Sequence, residues 1–149
     1  MAPVAGTSEA ELVGGPRITE DGMRELISSC DPASKLLLAA VEADDDRAVL
    51  GSLLLEKRDD ECHLGLLSVD PRLQNRGIGR KLLAAGQQHG KDVFGCSYAG
   101  MKVVESRTEL IQWYQRQGFE LTDEREEFNY SLAVLLQGPL TFVGMRRPL

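Results

Sequence analysis

LGLLSVDPRLQNRGIGRKLL, Leu64 to Leu83, changes from one periodicity to another along its length. Leu64 to Val69 is a short apolar run closed by Asp70-Pro71, as a buried strand would be. From Gly77 onward, Ile78, Leu82 and Ala85 fall at helical spacing. Between the two lies Gln74-Asn75-Arg76-Gly77-Ile78-Gly79, a turn with two glycines and an arginine at a helix start. Strand, glycine turn and helix together make an anion site. The first N–H groups of a helix have no intrahelical acceptor, and the helix dipole favours negative charge there. Glycine lets a phosphate approach the backbone without meeting a Cβ.

Three phosphate-binding patterns compete for this turn. The P-loop pattern GxxxxGK[ST] fails, because Lys81 is followed by Leu82. The dinucleotide pattern GxGxxG is met by Gly77 and Gly79 but has Leu82 at its third glycine, and the strand lies mid-chain. The third pattern, Q/R-x-x-G-x-G/A directly after a strand, is met at every specified position by Gln74 to Gly79. It is the pyrophosphate loop of the GNAT superfamily of N-acetyltransferases, which this sequence resembles. A second motif extends the resemblance: Tyr114-Gln115-Arg116-Gln117-Gly118-Phe119 matches the family's Y-x-x-x-G-F, at a suitable distance from the loop.

The whole chain is compatible with that resemblance. At 149 residues, 42% of them apolar, it suits one domain over residues 1–149 with a sizeable core. The longest apolar run, Leu36 to Val41, is too short to span a bilayer, and Met1 to Gly15 has no basic n-region followed by an apolar stretch. The expectation is a cytoplasmic protein, a nuclear place being the second option, with no membrane partner. Cys30, Cys62 and Cys96 are odd in number and widely spaced, which disfavours structural zinc and a disulfide framework. The net charge of −6 argues against nucleic acid and is compatible with a cationic amine or basic peptide.

Read in order, Met1 to Arg17 shows no clear strand pattern and is expected to be loose. Thr19-Glu20-Asp21 opens a helix with the stripe Met23, Leu26 and Ile27, ended by Asp31-Pro32. Lys35 to Glu42 reads as a strand, Ala43 to Arg47 as a turn, Ala48 to Lys57 as a second strand and Glu61 to Val69 as the third. Short connections make these three an antiparallel meander. A helix from about Gly77 to His89 and a strand from Met101 to Ser106 follow; the helical crossover implies that the strands on either side run parallel. Thr108 to Gln117 is a helix stopped by Gly118. Phe119 to Thr122 and Leu140 to Arg146 are the last strands, and Asp123 to Gly138 is read as irregular.

What the resemblance implies is a mixed α/β fold. Its largely antiparallel sheet has a parallel, splayed central strand pair flanked by helices. The pantetheine arm of acetyl-CoA would pair with backbone groups of Leu67, Ser68 and Val69. Its pyrophosphate would rest on amides of Gln74, Asn75, Arg76, Gly77, Ile78, Gly79 and Arg80, with Arg76 and Arg80 adding charge. Two departures from the family stand out. The start of the chain is short for the family's first strand and helix, leaving a sheet edge that would suit a homodimer. Arg107 stands where the family often has Asn, and is a further candidate for the cofactor's phosphates.

Direct acetyl transfer to an amine poses three problems. A protein amine has a pKa near ~10 in water, so it needs a base and a drier site. The developing oxyanion needs a donor, which a strand N–H near Leu67 or Ser68 could supply. The departing thiolate needs a proton, and the resemblance assigns that role to Tyr114, whose alternative role is packing the helix onto the sheet. Strand alternation groups Glu61, His63, Gly65 and Leu67 on one face. His63 is the candidate base, its imidazole suited to neutral pH. Glu61 and Glu105 are the alternatives, acting through water. The reading is an acetyl-CoA-dependent N-acetyltransferase, needing no metal, that acts on a primary amine of a small molecule or peptide. Two rivals stand beside it: a degenerate acyl-CoA-binding sensor or interaction module of the same fold, and a nucleotide-binding protein using the glycine turn.

Overall fold

Alternating burial builds the sheet. Leu53 and Leu55, Cys62 and Leu64, Ala99, Met101 and Val103, and Val143 and Met145 are all buried on one face. A computed structural model describes residues 2–3, 13–14, 19–127, 134–135 and 141–149. Its elements are β1 (Ala2–Pro3), β2 (Val13–Gly14), α1 (Glu20–Ser28), β3 (Lys35–Glu42), β4 (Asp45–Arg58), β5 (Glu61–Val69), a 3-10 helix (Pro71–Arg76), α2 (Ile78–Asp92), β6 (Tyr98–Val104), α3 (Thr108–Arg116), β7 (Glu120–Glu127), β8 (Val134–Leu135) and β9 (Thr141–Pro148).

The strands lie in the order β3-β4-β5-β6-β9-β7, with β1 attached to β5 off that path and β2 paired with β8 separately. β3, β4 and β5 form the antiparallel meander expected from the short turns. β5 and β6 run parallel, joined by α2, and the remaining pairs in the path are antiparallel. α2 and α3 bury Ile78, Leu82, Leu83, Leu110, Ile111 and Tyr114 in the same cluster as the inner face of the sheet. Gly86 and Gly90 bring α2 close. A Cβ on Gly86 would sit 2.8 Å from Leu55 Cδ2, and one on Gly90 would sit 2.7 Å from Cys62 Cβ.

Several boundaries differ from the sequence reading. The hairpin strand β4 begins at Asp45 rather than Ala48, because the turn narrows to Ala43-Asp44 and its flanking residues find cross-strand partners. β6 is Tyr98–Val104 rather than Met101–Ser106: Tyr98 to Gly100 pair with Glu61 to His63, whereas Glu105 and Ser106 turn into α3. α2 starts at Ile78 and runs to Asp92. β7 continues to Glu127, into the stretch whose sequence suggests irregular chain, because Arg125 to Glu127 pair with Thr141 to Val143 despite their charge. Residues 128–133 and 136–138 of that stretch lie outside the described residues, as do Leu140 at the expected start of the last strand and residues 1, 4–12 and 15–17 of the segment expected to be loose. Within that segment Ala2–Pro3 and Val13–Gly14 are short strands, their β character set by tertiary partners. α1 follows the sequence: Thr19 Oγ1 accepts the Gly22 N–H at 3.0 Å, with Glu20 and Asp21 in the first turn.

Candidate active site

The site lies where β5 and β6 part. They pair only as Glu61↔Tyr98, Cys62↔Ala99 and His63↔Gly100; beyond His63 the edge of β5 has no partner in β6. On its other side, β5 passes from Ser52↔Ser68 to Leu54↔Gly65, so Leu66 and Leu67 together face the one residue Leu53. This is a β-bulge, and Leu66 has φ +49°, a left-handed conformation that costs a residue with a Cβ roughly 1–2 kcal/mol. Such strain persists only where surrounding structure imposes it. The bulge also reverses the inward–outward alternation. Leu67, grouped by simple alternation with Glu61, His63 and Gly65, instead packs on the core, as Val69 does. The sequence carried no sign of this, since leucine is not a residue that favours φ > 0.

The free edge accepts an extended chain. Ser68 and Val69 pair with Pro3 and Ala2. Asp70 then closes the strand. Its carboxylate accepts the Arg72 N–H at 3.0 Å and the Arg72 guanidinium at 2.7 Å, and this side-chain hydrogen bond holds its pKa down at about 2. Gln74, Asn75 and Arg76 form the end of the 3-10 helix rather than an open turn, and Gly77 reverses the path at φ +72°. α2 starts at once from Gly77 with no side-chain cap, and the Lys81 N–H donates to the Gly77 carbonyl at 3.1 Å. The N–H groups of Ile78, Gly79 and Arg80 therefore precede the intrahelical ladder. The Arg80 guanidinium lies over the turn, 3.3 Å from where a Gly77 Cβ would be, and Arg76 faces Glu42 at 3.6 Å.

Glu61 and His63 meet on the sheet face away from α2 and α3. His63 Nδ1 is 3.4 Å from Glu61 Oε2, and its side chain is 14% exposed. Burial, with Arg58 adding, lowers the His63 pKa; the Glu61 hydrogen bond opposes this. A neutral imidazole results, one able to accept a proton. Gly100, lacking a Cβ, gives the Glu61 carboxylate its place against the sheet. Glu105 is more than half exposed and its carboxylate lies 3.4 Å from Arg125 Nε, away from the Glu61–His63 pair. Cys62 points the other way and is fully buried; desolvation first, then Cys96 and Glu61, push its thiol up to about 12.

Tyr114 sits on the helical side, 7% exposed, edge-on to Trp113 at 5.1 Å and Phe119 at 6.0 Å. Arg107, at the N-cap of α3, is 8% exposed and is the buried charged residue among those described. Loop, bulge and strand edge are thus brought together around the parting of β5 and β6, with His63 and Tyr114 on opposite faces of the sheet. Among the described residues no cluster of three or more His, Cys, Asp or Glu could hold a metal ion, and no helix is long and apolar enough to cross a membrane.

Comparison with known proteins adds three findings. The sequence model of the Acetyltransferase (GNAT) family matches residues 10–119. Over 69 residues the chain is 34% identical to Spermine/spermidine N(1)-acetyltransferase of Bacillus subtilis (strain 168), a match covering 46% of this chain and 45% of that protein. The chain thus spans about half the length of the curated relatives it matches. Among solved structures it resembles the ribosomal-protein-S18-alanine N-acetyltransferase from Escherichia coli, with TM-score 0.66 and 20% identity over 84% of this chain and 75% of that one. It also resembles a Bacillus anthracis str. Ames protein solved in complex with acetyl coenzyme A, with TM-score 0.65 and 14% identity over 78% of this chain and 63% of that one.

Proposed function

The chain belongs to the acetyltransferase (GNAT) family, and from that premise we propose that it is a single-domain N-acetyltransferase. It would transfer the acetyl group of acetyl-CoA directly to a primary amine of a small molecule or peptide. The observation that carries this reading is the parting of β5 from β6 after His63↔Gly100, directly ahead of a left-handed Gly77 and an uncapped helix start. That combination offers an extended chain a strand edge and offers a diphosphate the N–H groups of a helix start. The pairing of Ala2–Pro3 with Ser68–Val69 supports the first part, since pantetheine would replace a chain already lying there.

Acetyl-CoA would bring an activated thioester to the splay; the remaining roles belong to this chain. Backbone groups of Leu67, Ser68 and Val69 hold the pantetheine arm. The amides from Gln74 to Arg80 hold the pyrophosphate, with the side chains of Arg76 and Arg80 adding charge. Arg107 borders the arm from the start of α3. His63, kept neutral by burial and oriented by Glu61, takes one proton from the acceptor's ammonium, leaving a neutral amine whose lone pair forms the N–C bond; a second N–H proton is lost to solvent as the tetrahedral intermediate collapses to the amide. An N–H at the bulge around Leu67 faces the charge that develops on the carbonyl oxygen. The Tyr114 hydroxyl passes its proton to the sulfur as the C–S bond breaks, and is restored from solvent. No metal is needed for any of these steps.

A polyamine is the first acceptor to try. Glu56 and Glu61 flank His63 on the outer face, the net charge is −6, and the curated relative is named for spermine and spermidine. The test is thiol release from acetyl-CoA in the presence of spermidine, a diamine and a lysine-containing peptide. Amine-dependent release is expected. Binding of acetyl-CoA without release against any amine would refute the catalytic reading and leave a cofactor sensor. Absence of acetyl-CoA binding would refute the cofactor itself.

A further inference from the structure

We propose that Gly65 leaves the outer face of β5 bare so that the acceptor amine can cross it, its nitrogen between His63 and the thioester and its alkyl chain over Leu54. The inference rests on the acetyltransferase reading above and adds the lane by which the amine arrives. Gly65 lies inside β5, two residues after His63 and directly ahead of Leu66, the left-handed residue of the bulge.

The fold itself does not call for glycine at this position. Gly77, Gly95 and Gly118 have positive φ, whereas Gly65 does not. At Gly51 and Gly90 a Cβ would stand 2.8 Å from the Ser68 carbonyl oxygen and 2.7 Å from Cys62 Cβ. Around Gly65 the space is open. Among the described residues, its chain neighbours aside, no heavy atom lies within 4 Å of the place a Cβ would take. Glycine weakens a strand interior, because it has no side chain to pack and more freedom to lose on folding. A strand glycine that neither conformation nor packing requires points to something outside the chain approaching the backbone.

The neighbours of Gly65 give that visitor its chemistry. His63 pairs with Glu56, Gly65 with Leu54 and Leu54 with Leu37, so all five side-chain positions share the sheet face away from α2 and α3. Leu54 is buried, yet it stands outside the cluster beneath those helices. The reaction fixes the path. The amine nitrogen must come within about 3 Å of the His63 imidazole and about 3 Å of a carbonyl carbon held at the bulge. Two residues of strand span about 7 Å, so a nitrogen meeting both conditions stands over Gly65. The carbon bearing that nitrogen then needs the space a side chain would fill. From there the apolar strip of Leu54 and Leu37 suits a run of methylenes. The acceptor class is a primary amine on an alkyl chain, as in a polyamine or a lysine side chain.

The experiment compares Gly65→Ala and Gly65→Val with the unaltered protein, with spermidine and a lysine-containing peptide as acceptors. Both variants should melt no lower than the parent, since the added atoms meet open space and valine in particular suits a strand. Calorimetric titration should give all three the same affinity for acetyl-CoA. With the KM for acetyl-CoA unchanged, kcat/KM for the amine should fall in Gly65→Ala and fall further, about tenfold or more, in Gly65→Val. Undiminished kcat/KM in Gly65→Val overturns the lane and leaves the acetyltransferase reading standing. A fall in Tm, or a loss of acetyl-CoA affinity in step with turnover, also overturns the lane, because the added atoms then disturb β5 itself. An unaltered protein that acetylates neither amine, or does not bind acetyl-CoA, overturns the acetyltransferase reading and the lane with it.

Discussion

Gly90→Ala should destabilise the protein while Gly86→Ala does not, although both add one methyl to the same face of α2. Alanine improves helix propensity by about 1 kcal/mol at either position. The opposing cost depends on what the new Cβ meets. At Gly86 it meets Leu55 Cδ2 at 2.8 Å and Leu53 Cδ2 at 2.9 Å, the far ends of side chains that can rotate slightly. At Gly90 it meets Cys62 Cβ at 2.7 Å and Sγ at 2.8 Å. A Cβ moves only with its backbone, and Cys62 is locked between Lys57 on β4 and Ala99 on β6. The helix itself must therefore lift. Overpacking costs about 1–3 kcal/mol, and a contact with a Cβ held by its strand falls in the upper part of that range, about 2–3; less the propensity gain, the net loss for Gly90→Ala is about 1–2 kcal/mol, with Gly86→Ala close to neutral. In a chain of this size that corresponds to a fall in Tm of about 3–7 °C for Gly90→Ala. Thermal unfolding followed by circular dichroism measures it. Because α2 carries the Ile78 to Arg80 amides at its other end, acetyl-CoA titration should weaken in the same variant. Equal Tm shifts in the two variants, or a Gly90→Ala protein as stable as the parent, would refute the argument that Cys62 sets the height of α2.

Tyr114→Phe keeps the ring contacts with Trp113 and Phe119, so the variant should fold and bind acetyl-CoA while kcat falls about a hundredfold; an unchanged kcat removes the proton-donor role. His63, with its pKa lowered by burial, binds a proton more readily in the unfolded chain, so its contribution to stability is present above about pH 6.5 and is lost as pH falls below it. Urea unfolding at pH 7.5, 6.5 and 5.5 should show that loss, and His63→Gln should flatten it; identical slopes would exclude His63 as the cause. Gly77→Val forces a β-branched residue to φ +72°, with its Cβ 3.3 Å from the Arg80 guanidinium, and should weaken acetyl-CoA binding about tenfold or more. Undiminished binding by calorimetry would take Gly77 out of the site.

Local chemistry was legible because it is written in neighbouring residues. Glu61–Val69 as a strand, Thr19 as the N-cap, Gly77 as the reversal and Gly118 as the stop of α3 all follow from short-range preferences. The parallel pair also followed, because a helical crossover between strands leaves few alternatives. The charged strand end Arg125 to Glu127 was not legible: its pairing with β9 comes from a partner far along the chain, and its own residues resemble a solvated loop. Ala2–Pro3 and Val13–Gly14 are strands for the same reason.

The site divides along that line. By itself the sequence determined the glycine turn at a helix start, the tyrosine at the end of its helix and the alternation that sets Glu61 and His63 together, since each depends on spacing within one element. Only the tertiary structure decided where β5 leaves β6, and that Leu66 takes a left-handed conformation and turns Leu67 inward. Those features arise from contacts between segments distant in the chain, whose energies outweigh the local preferences that a reader of sequence can weigh.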